Sequence, residues 1–371
     1  MHAWYPPKVR VLQPTATAAW FASERESRVM SRKLDMEKGF VDLSFGAGGV
    51  ASAQLTREIF APEFSNPILD RMEDGAVIDM PAGRLVVSTD SHVISPIFFP
   101  GGDIGSLAIH GSVNDVAMMG AKPLHMSVGF IIEEGVPFSV LKRIAVSMGA
   151  AARDAGVTIV AADTKVVKKG EADQLYITST CFGVVPEGVC VGADRARPGD
   201  RVIISGSIGD HGAAVLASRE ELGLTSDLKS DSQSVNDLVA AMLASGVDVR
   251  VMRDPTRGGL ATSLNEIATT SAVGIEIDEG AIPVKEGVWA VSELLGLDPL
   301  YFACEGRLVA ICPVSDAEKL LASMRSHPKG KGATIIGEVT DRPEIPLILR
   351  STFGGSRVVS VLTGDQMPRI C

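Results

Sequence analysis

No two of the five cysteines, at positions 181, 190, 304, 312 and 371, stand in a CxxC pair, and their number is odd. Neither a zinc site nor a disulfide framework is indicated, and the thiols point to a reducing compartment. The chain lacks any apolar run of the roughly 18 to 20 residues that a membrane-spanning helix needs. Its first thirty residues lack the apolar core and small-residue cleavage site of a signal peptide. A cytoplasmic protein with no membrane partner is expected. A cationic surplus is also missing: 35 Lys and Arg face 45 Asp and Glu, for a formal net charge of −10. That balance excludes the basic face with which a protein displaces counterions from nucleic acid. It suits anions that arrive with magnesium, because carboxylates hold the metal and the metal holds the phosphates. The six histidines, at 2, 92, 110, 125, 211 and 327, have no metal-ligand spacing, so each reads as structural or exposed. Neither a Walker A loop nor a GxGxxG fingerprint occurs.

Glycine, by contrast, is abundant. The chain has 38 glycines in 371 residues, above the usual share of about 7%, and they gather at the ends of apolar runs. The length implies two domains at about 100 to 200 residues each. Strands and helices alternate twice over, an α/β pattern. Strands are expected at 84–89, 124–132, 158–161 and 175–185, with helices at 104–119 and 139–155. After a Gly- and Pro-rich stretch at 186–199 the scheme repeats. Strands are expected at 200–205, 274–278, 308–313 and 334–339, with helices at 213–221, 235–245, 259–271 and 315–326. This gives a first domain over 41–187, a second over 188–353 and a tail over 354–371. The opening segment 1–40, with Pro6, Pro7 and Pro14, reads either as a loose extension or as sequence ahead of a start at Met30 or Met36.

Several short motifs carry potential chemistry. Gly46-Ala47-Gly48-Gly49 follows an apolar run and opens a helix, where backbone amides and the helix dipole suit a phosphate, although such a turn is more often only a turn. Asp90 and Asp163 end apolar strands, Asp115 follows Asn114 on a helix, and Asp254 lies in Arg-Asp-Pro-Thr-Arg-Gly-Gly. Each alone reads as a cap or turn residue. Together, beside Lys165, Arg253 and Arg257, they could hold magnesium and nucleotide phosphates at one sheet edge. Ser205-Gly206-Ser207-Ile208-Gly209-Asp210-His211-Gly212 is a second glycine-rich strand-to-helix turn, as readily structural as ligand-binding. Glu305 stands just before an apolar strand, where a carboxylate could act as a general base or simply be solvated. The sequence closes Met-Pro-Arg-Ile-Cys. A thiol on a tail contributes little packing; it could be loaded, carried into a site, altered and handed on.

The run Thr89-Asp90-Ser91-His92-Val93, then Phe98-Phe99-Pro100-Gly101-Gly102-Asp103-Ile104-Gly105, Asn114-Asp115-Val116-Ala117, Asp163-Thr164-Lys165-Val166-Val167, Gly209-Asp210-His211-Gly212, Thr256-Arg257-Gly258-Gly259 and Pro368-Arg369-Ile370-Cys371 resembles the HypE family of hydrogenase maturation proteins. The resemblance spans about Val41 to Cys371. It implies a PurM-like α/β (α+β) fold of two domains, shared with aminoimidazole ribonucleotide synthetase, thiamine-phosphate kinase and selenide, water dikinase. The N-terminal domains would form a homodimer, a flexible tail would carry Cys371, and ATP and Mg2+ would bind near the interface. By the same resemblance a carbamoyltransferase, HypF, loads a carboxamide onto Cys371. ATP then activates the amide oxygen, loss of phosphate and a proton leaves an S-cyanate, and the cyano group passes to iron on a HypC-HypD complex. Gly46, Gly48, Gly49, Asp90, Asn114, Asp115, Asp163, Thr164, Asp210 and Arg257 become nucleotide-binding candidates, with Asp90, Asp115, Asp163 and Asp254 the magnesium ligands. Glu305 is the expected base, with Lys165 assisting. The chain departs from the family pattern at Phe45 and Ala47, where His and Ser are usual, and at Ala162, Pro255 and Cys304. Two readings compete: a kinase or synthetase of the same superfamily acting on a free small molecule, which has no use for a terminal thiol, and a non-catalytic scaffold whose Cys371 forms a mixed disulfide or holds metal.

Overall fold

The computed structural model describes residues 33–219, 226–362, 364 and 367–371. Most of the expected N-terminal extension, residues 220 and 221 of an expected helix, and tail residues 363, 365 and 366 lie outside them. The N-terminal domain is built on β1 (Arg84–His92), β2 (Lys122–Glu133), β3 (Thr158–Val167) and β4 (Leu175–Val185), in the sheet order β1-β4-β2-β3. Two helices, α1 (Ile104–Met118) and α2 (Phe138–Ala155), cover one face. Asp103 starts α1 by accepting the amides of Gly105 and Ser106 in a capping box. In α2 the side chains of Phe138, Leu141, Ile144, Ala145 and Met148 fall on one buried stripe. Gly156, in the left-handed conformation that a β-carbon disfavours, ends that helix.

Alternation along β1 turns Ser88, Asp90 and His92 toward α1 and leaves Leu85, Val87, Thr89 and Ser91 on the open face. There Thr89 pairs with Thr180 and Ser91 with Thr178 through their hydroxyls, while Leu85, Val87 and Ile131 stay exposed.

The C-terminal domain has a seven-stranded mixed sheet. Its strands are β5 (Arg201–Ile204), β6 (Val251–Arg253), β7 (Gly274–Asp278), β8 (Val309–Cys312), β9 (Thr334–Thr340), β10 (Leu347–Arg350) and β11 (Ser356–Val358). Helices α3 (Asp210–Ala217), α4 (Asn236–Ala244), α5 (Gly259–Ser271), α6 (Glu286–Leu295) and α7 (Ala317–Ser326) complete it. Two expected boundaries move. Phe40 bridges Pro137, and the Leu34 amide donates to Glu58, so the N-terminal domain begins near residue 34 rather than 41. β11 pairs with β10, and Val359 is buried with its amide on the Leu347 carbonyl, so the tail begins near residue 360 rather than 354.

Residues 226–235 cross between the domains as a strap. The Ser230 amide donates to the Pro100 carbonyl, and Asp231 Oδ1 accepts the Glu305 amide. Among the described residues no helix is long and apolar enough to cross a membrane.

Candidate active site at the domain interface

The tail is docked at the seam between the domains. The Val93 amide donates to the Cys371 carbonyl and the Ser95 amide to the Arg369 carbonyl, extending the line of β1. Arg369 returns a bond to the Val93 carbonyl and pairs with Asp173. From the other domain, His211 Nε2 meets the Ile370 carbonyl at 2.7 Å, and Arg219 holds the carbonyls of Ser95 and Pro368. Cys371 thereby lines a cleft of about 390 Å³ with Ser91, Arg257, Gly258 and Thr262.

Carboxyl groups from both domains face this seam. Ser88 donates to Asp115 Oδ2 at 2.6 Å across the β1–α1 contact. Burial, then repulsion from Asp115, pushes Asp90 up to about 6, against the pull of Arg257. Burial followed by Asp115 and Asp90 pushes Asp254 up to about 7. Glu305 is 3% exposed, and its Oε1 has no hydrogen-bond partner. Burial raises it well above the carboxylate range, and Asp254, Asp231, Asp90 and Asp115 add to the effect. The Cys371 thiol is pushed up to about 12, by burial first and then by Glu305, with Arg257 opposing. A docked Cys371 is therefore a protonated thiol, a poor nucleophile.

A second cleft, about 440 Å³, opens on the N-terminal domain. Gly46, Gly48, Gly49, Asp163, Thr164 and Lys165 line its polar end, and Phe60, Phe64, Ile68 and Leu69 its apolar end. A β-carbon on Gly46 would stand 2.6 Å from the Val166 amide nitrogen, and Gly48 and Gly49 have φ of +80° and +75°. Close approach and left-handed backbone explain why glycines occupy this turn.

The expected site residues thus divide. Gly46, Gly48, Gly49, Asp163, Thr164 and Lys165 share the second cleft, while Asp90, Asp115, Asp254, Arg257, Glu305 and Cys371 gather at the seam. The four aspartates are not one cluster within the chain, because Asp163 faces the second cleft and pairs with Lys165 Nζ at 2.7 Å. That pairing also leaves Lys165 apart from Glu305. Asn114 has its side-chain amide engaged within the chain. Its amide nitrogen donates to the Gln233 and Glu305 carbonyls and its oxygen accepts from Val235, so it pins α1 to the second domain. Asp210, fully buried, accepts from Ser207 and pairs with Lys285. Sequence reading passed over His211 as structural and did not consider Arg219 or Asp173. Their partners on the tail lie more than 140 residues away along the chain, beyond the reach of any periodicity.

The chain matches the AIR synthase related protein family, its N-terminal domain over residues 72–185 and its C-terminal domain over 197–350. It is 55% identical over 342 residues to the carbamoyl dehydratase HypE of Azotobacter vinelandii, covering 92% of this chain and all of that one. Among solved structures, the hydrogenase maturation protein HypE in complex with ATP superposes with a TM-score of 0.85 at 47% identity, over 89% of this chain and 99% of that one. A HypE–HypF complex contains a chain with a TM-score of 0.73 at 47% identity, covering 83% of this chain and 99% of that one. With near-complete coverage at this identity, the chain belongs to the HypE family of carbamoyl dehydratases, built on the two domains of the AIR synthase related proteins.

Proposed function

We propose that this chain dehydrates a carboxamide carried on Cys371 to an S-cyanate at the expense of ATP, supplying the cyano ligand in hydrogenase maturation. The observation that carries the reading is the seating of Cys371 beside Glu305, Asp90 and Arg257 at the domain seam. ATP binding rests on the relative solved with ATP and on the second cleft, whose apolar end suits a base and whose glycine turn suits phosphate. The amide oxygen attacks the terminal phosphorus and ADP leaves. The nitrogen gives up its first proton to solvent as the neutral O-phosphorylated imidate forms, and Glu305 then takes the second nitrogen proton as the C–O bond breaks, phosphate departs, and the carbon–nitrogen triple bond forms. Phosphorylation converts a poor leaving group into a good one, and the protein supplies position and charge. Arg257 faces the charge that gathers on phosphate. Lys165 is a charge-stabilising residue of the nucleotide cleft.

Asp90, Asp115 and Asp254 are the side chains that would hold Mg2+. The three crowded carboxyl groups, each pushed up by burial first and Asp90 and Asp254 further by their acidic neighbours, gain from a divalent ion. Among the described residues no three His, Cys, Asp or Glu side chains converge tightly enough to hold an ion unaided. Mg2+ held by these side chains would take most of its oxygens from phosphate and water and would neutralise phosphate charge.

The tail must leave its dock to be loaded, because the docked thiol is protonated and partly buried. HypF is the loading partner by analogy with the relative solved in complex with it, and a HypC-HypD complex is the acceptor that the resemblance implies. The open face of the N-terminal sheet, with exposed Leu85, Val87 and Ile131, is the homodimer surface. A cytoplasmic location is the reading that five cysteines without a pairing pattern support. Phosphate release tests the reading: the carboxamide-loaded chain cleaves ATP, and the Cys371→Ser chain exposed to the same partner does not. Equal ATP cleavage by both would favour a free small-molecule substrate.

A further inference from the structure

The turn Phe99-Pro100-Gly101-Gly102 and the strap 226–235 meet between the domains. The Ser230 amide donates to the Pro100 carbonyl at 2.8 Å. Gly101 has φ of +98°, and a β-carbon on it would stand 2.8 Å from the Ser230 carbonyl oxygen, so glycine is what lets the turn receive the strap. Ser230 is thereby fixed to the N-terminal domain, on which the tail extends the line of β1.

Two adjacent residues of the strap then serve different partners. Asp231, its side chain wholly buried, accepts the Glu305 amide on Oδ1 at 3.1 Å. The Glu305 carbonyl accepts from the Gln233 amide and from Asn114, and Gln233 Nε2 donates to the Gly306 carbonyl. The strap thus holds the main chain of Glu305 on both sides, while Glu305 Oε1 stays without a partner. Ser230 Oγ lies 2.8 Å from His211 Nδ1, and His211 Nε2 holds the Ile370 carbonyl at 2.7 Å. One imidazole therefore connects Ser230 to the peptide that bears Cys371.

We propose that Ser230 and Asp231 are positioning residues of the dehydration step, holding the carrier tail and Glu305 in register from one stretch of backbone. The inference rests on the reading of Cys371 as carrier and Glu305 as base, and neither strap residue is assigned contact with the reacting atoms. A general base must come within about 2.6 to 3.2 Å of the proton it takes, and a misplacement of about 1 Å costs about a hundredfold in rate. The tail lies along β1 of one domain and Glu305 belongs to the other, so a shift between the domains would separate them. Neighbouring Cα atoms stay about 3.8 Å apart, so an element bonded to both partners through adjacent residues limits that separation.

Single-turnover dehydration by carboxamide-loaded chains, read beside ATP affinity and melting, tests the proposal. Asp231→Ala lowers the dehydration rate at least about tenfold and leaves ATP affinity unchanged, since neither strap residue lines the nucleotide cleft. Asp231→Asn, which keeps an oxygen for the Glu305 amide, recovers most of that loss. In a Glu305→Gln chain Asp231→Ala costs nothing further, as expected of a residue that acts through the base. Ser230→Ala, a milder truncation that keeps the proposal open to test if Asp231→Ala does not fold, slows dehydration about threefold and speeds iodoacetamide labelling of Cys371 about threefold. In a His211→Gln chain it adds nothing to the labelling rate. Full-rate dehydration by Asp231→Ala, or an equal further loss in the Glu305→Gln chain, overturns the role of Asp231. Labelling and dehydration unchanged by Ser230→Ala overturn that of Ser230. Full-rate dehydration by Glu305→Gln itself overturns the reading of the base and the role of Asp231 with it, whereas the labelling arm, which involves no dehydration, still decides on Ser230.

Discussion

His211 Nε2 sits 2.7 Å from the carbonyl oxygen of Ile370, the residue before the reactive thiol. With Ser230 Oγ on Nδ1, the consistent tautomer accepts from the serine and donates from Nε2 to the tail. Burial brings the imidazole down to about 4, which keeps it neutral in this role. His211→Gln is expected to loosen the dock by about one hydrogen bond, roughly 1 kcal/mol, and to speed alkylation of Cys371 about fivefold. Labelling kinetics resolved on the Cys371 peptide check it, and the exposed Cys190 serves as internal reference.

Raising the pH should also release the tail. The docked thiol titrates at about 12 against an ordinary value of 9.0, so the docked state binds the proton more tightly. That stabilisation is complete below pH 9 and is lost progressively as pH rises from 9 toward 12. Alkylation of Cys371 between pH 8 and 10.5 should therefore climb more steeply than thiolate formation at Cys190. Parallel profiles would count against a proton-linked dock.

Glu305→Gln should abolish most turnover while sparing nucleotide binding. A positioned general base contributes about 10²- to 10⁴-fold, so the dehydration rate is expected to fall at least a hundredfold in single turnover on loaded chain. ATP affinity measured alongside should change little, because Glu305 does not line the nucleotide cleft. Full-rate dehydration by this variant would remove Glu305 from the role.

Asn114→Ala should act on stability before activity. It strips a buried bridge in which one amide meets the carbonyls of Gln233 and Glu305 and the amide of Val235. Leaving such groups unpaired costs about 1 to 3 kcal/mol. Calorimetric melting should show a lower transition, whereas a residue serving only nucleotide would shift ATP affinity with an unchanged melt.

What could be read in the sequence follows the range of the forces involved. α5 and β4 match their expected limits residue for residue because period and glycine boundaries act locally. β6, three residues long, and β11, an exposed edge, carry too little pattern to be recognised, and α6 was passed over altogether. The resemblance places Gly46, Gly48, Gly49, Asp163 and Thr164 among the nucleotide candidates but groups Asp163 with the other aspartates as a metal ligand and Lys165 with Glu305; in the structure the glycines, Asp163, Thr164 and Lys165 share a cleft. The seam was legible only as a set of residue types. That Asp163 and Lys165 on β3 separate from Asp90 on β1 depends on the order β1-β4-β2-β3, whereas Asp115 on α1 and Asp254 after β6 reach the seam through helix and domain packing. The docking of Cys371 rests on bonds to Val93, His211 and Arg219, set by how the two domains meet.

Mass spectrometry of the Cys371 peptide tests the central claim most directly. The chain is incubated with carbamoyl phosphate, ATP, magnesium and the carbamoyltransferase, then offered either ATP or a nonhydrolysable analogue. The account predicts a carboxamide on Cys371 that loses the mass of one water with ATP and keeps it with the analogue. A Cys371 that stays unmodified while ATP is consumed would contradict it.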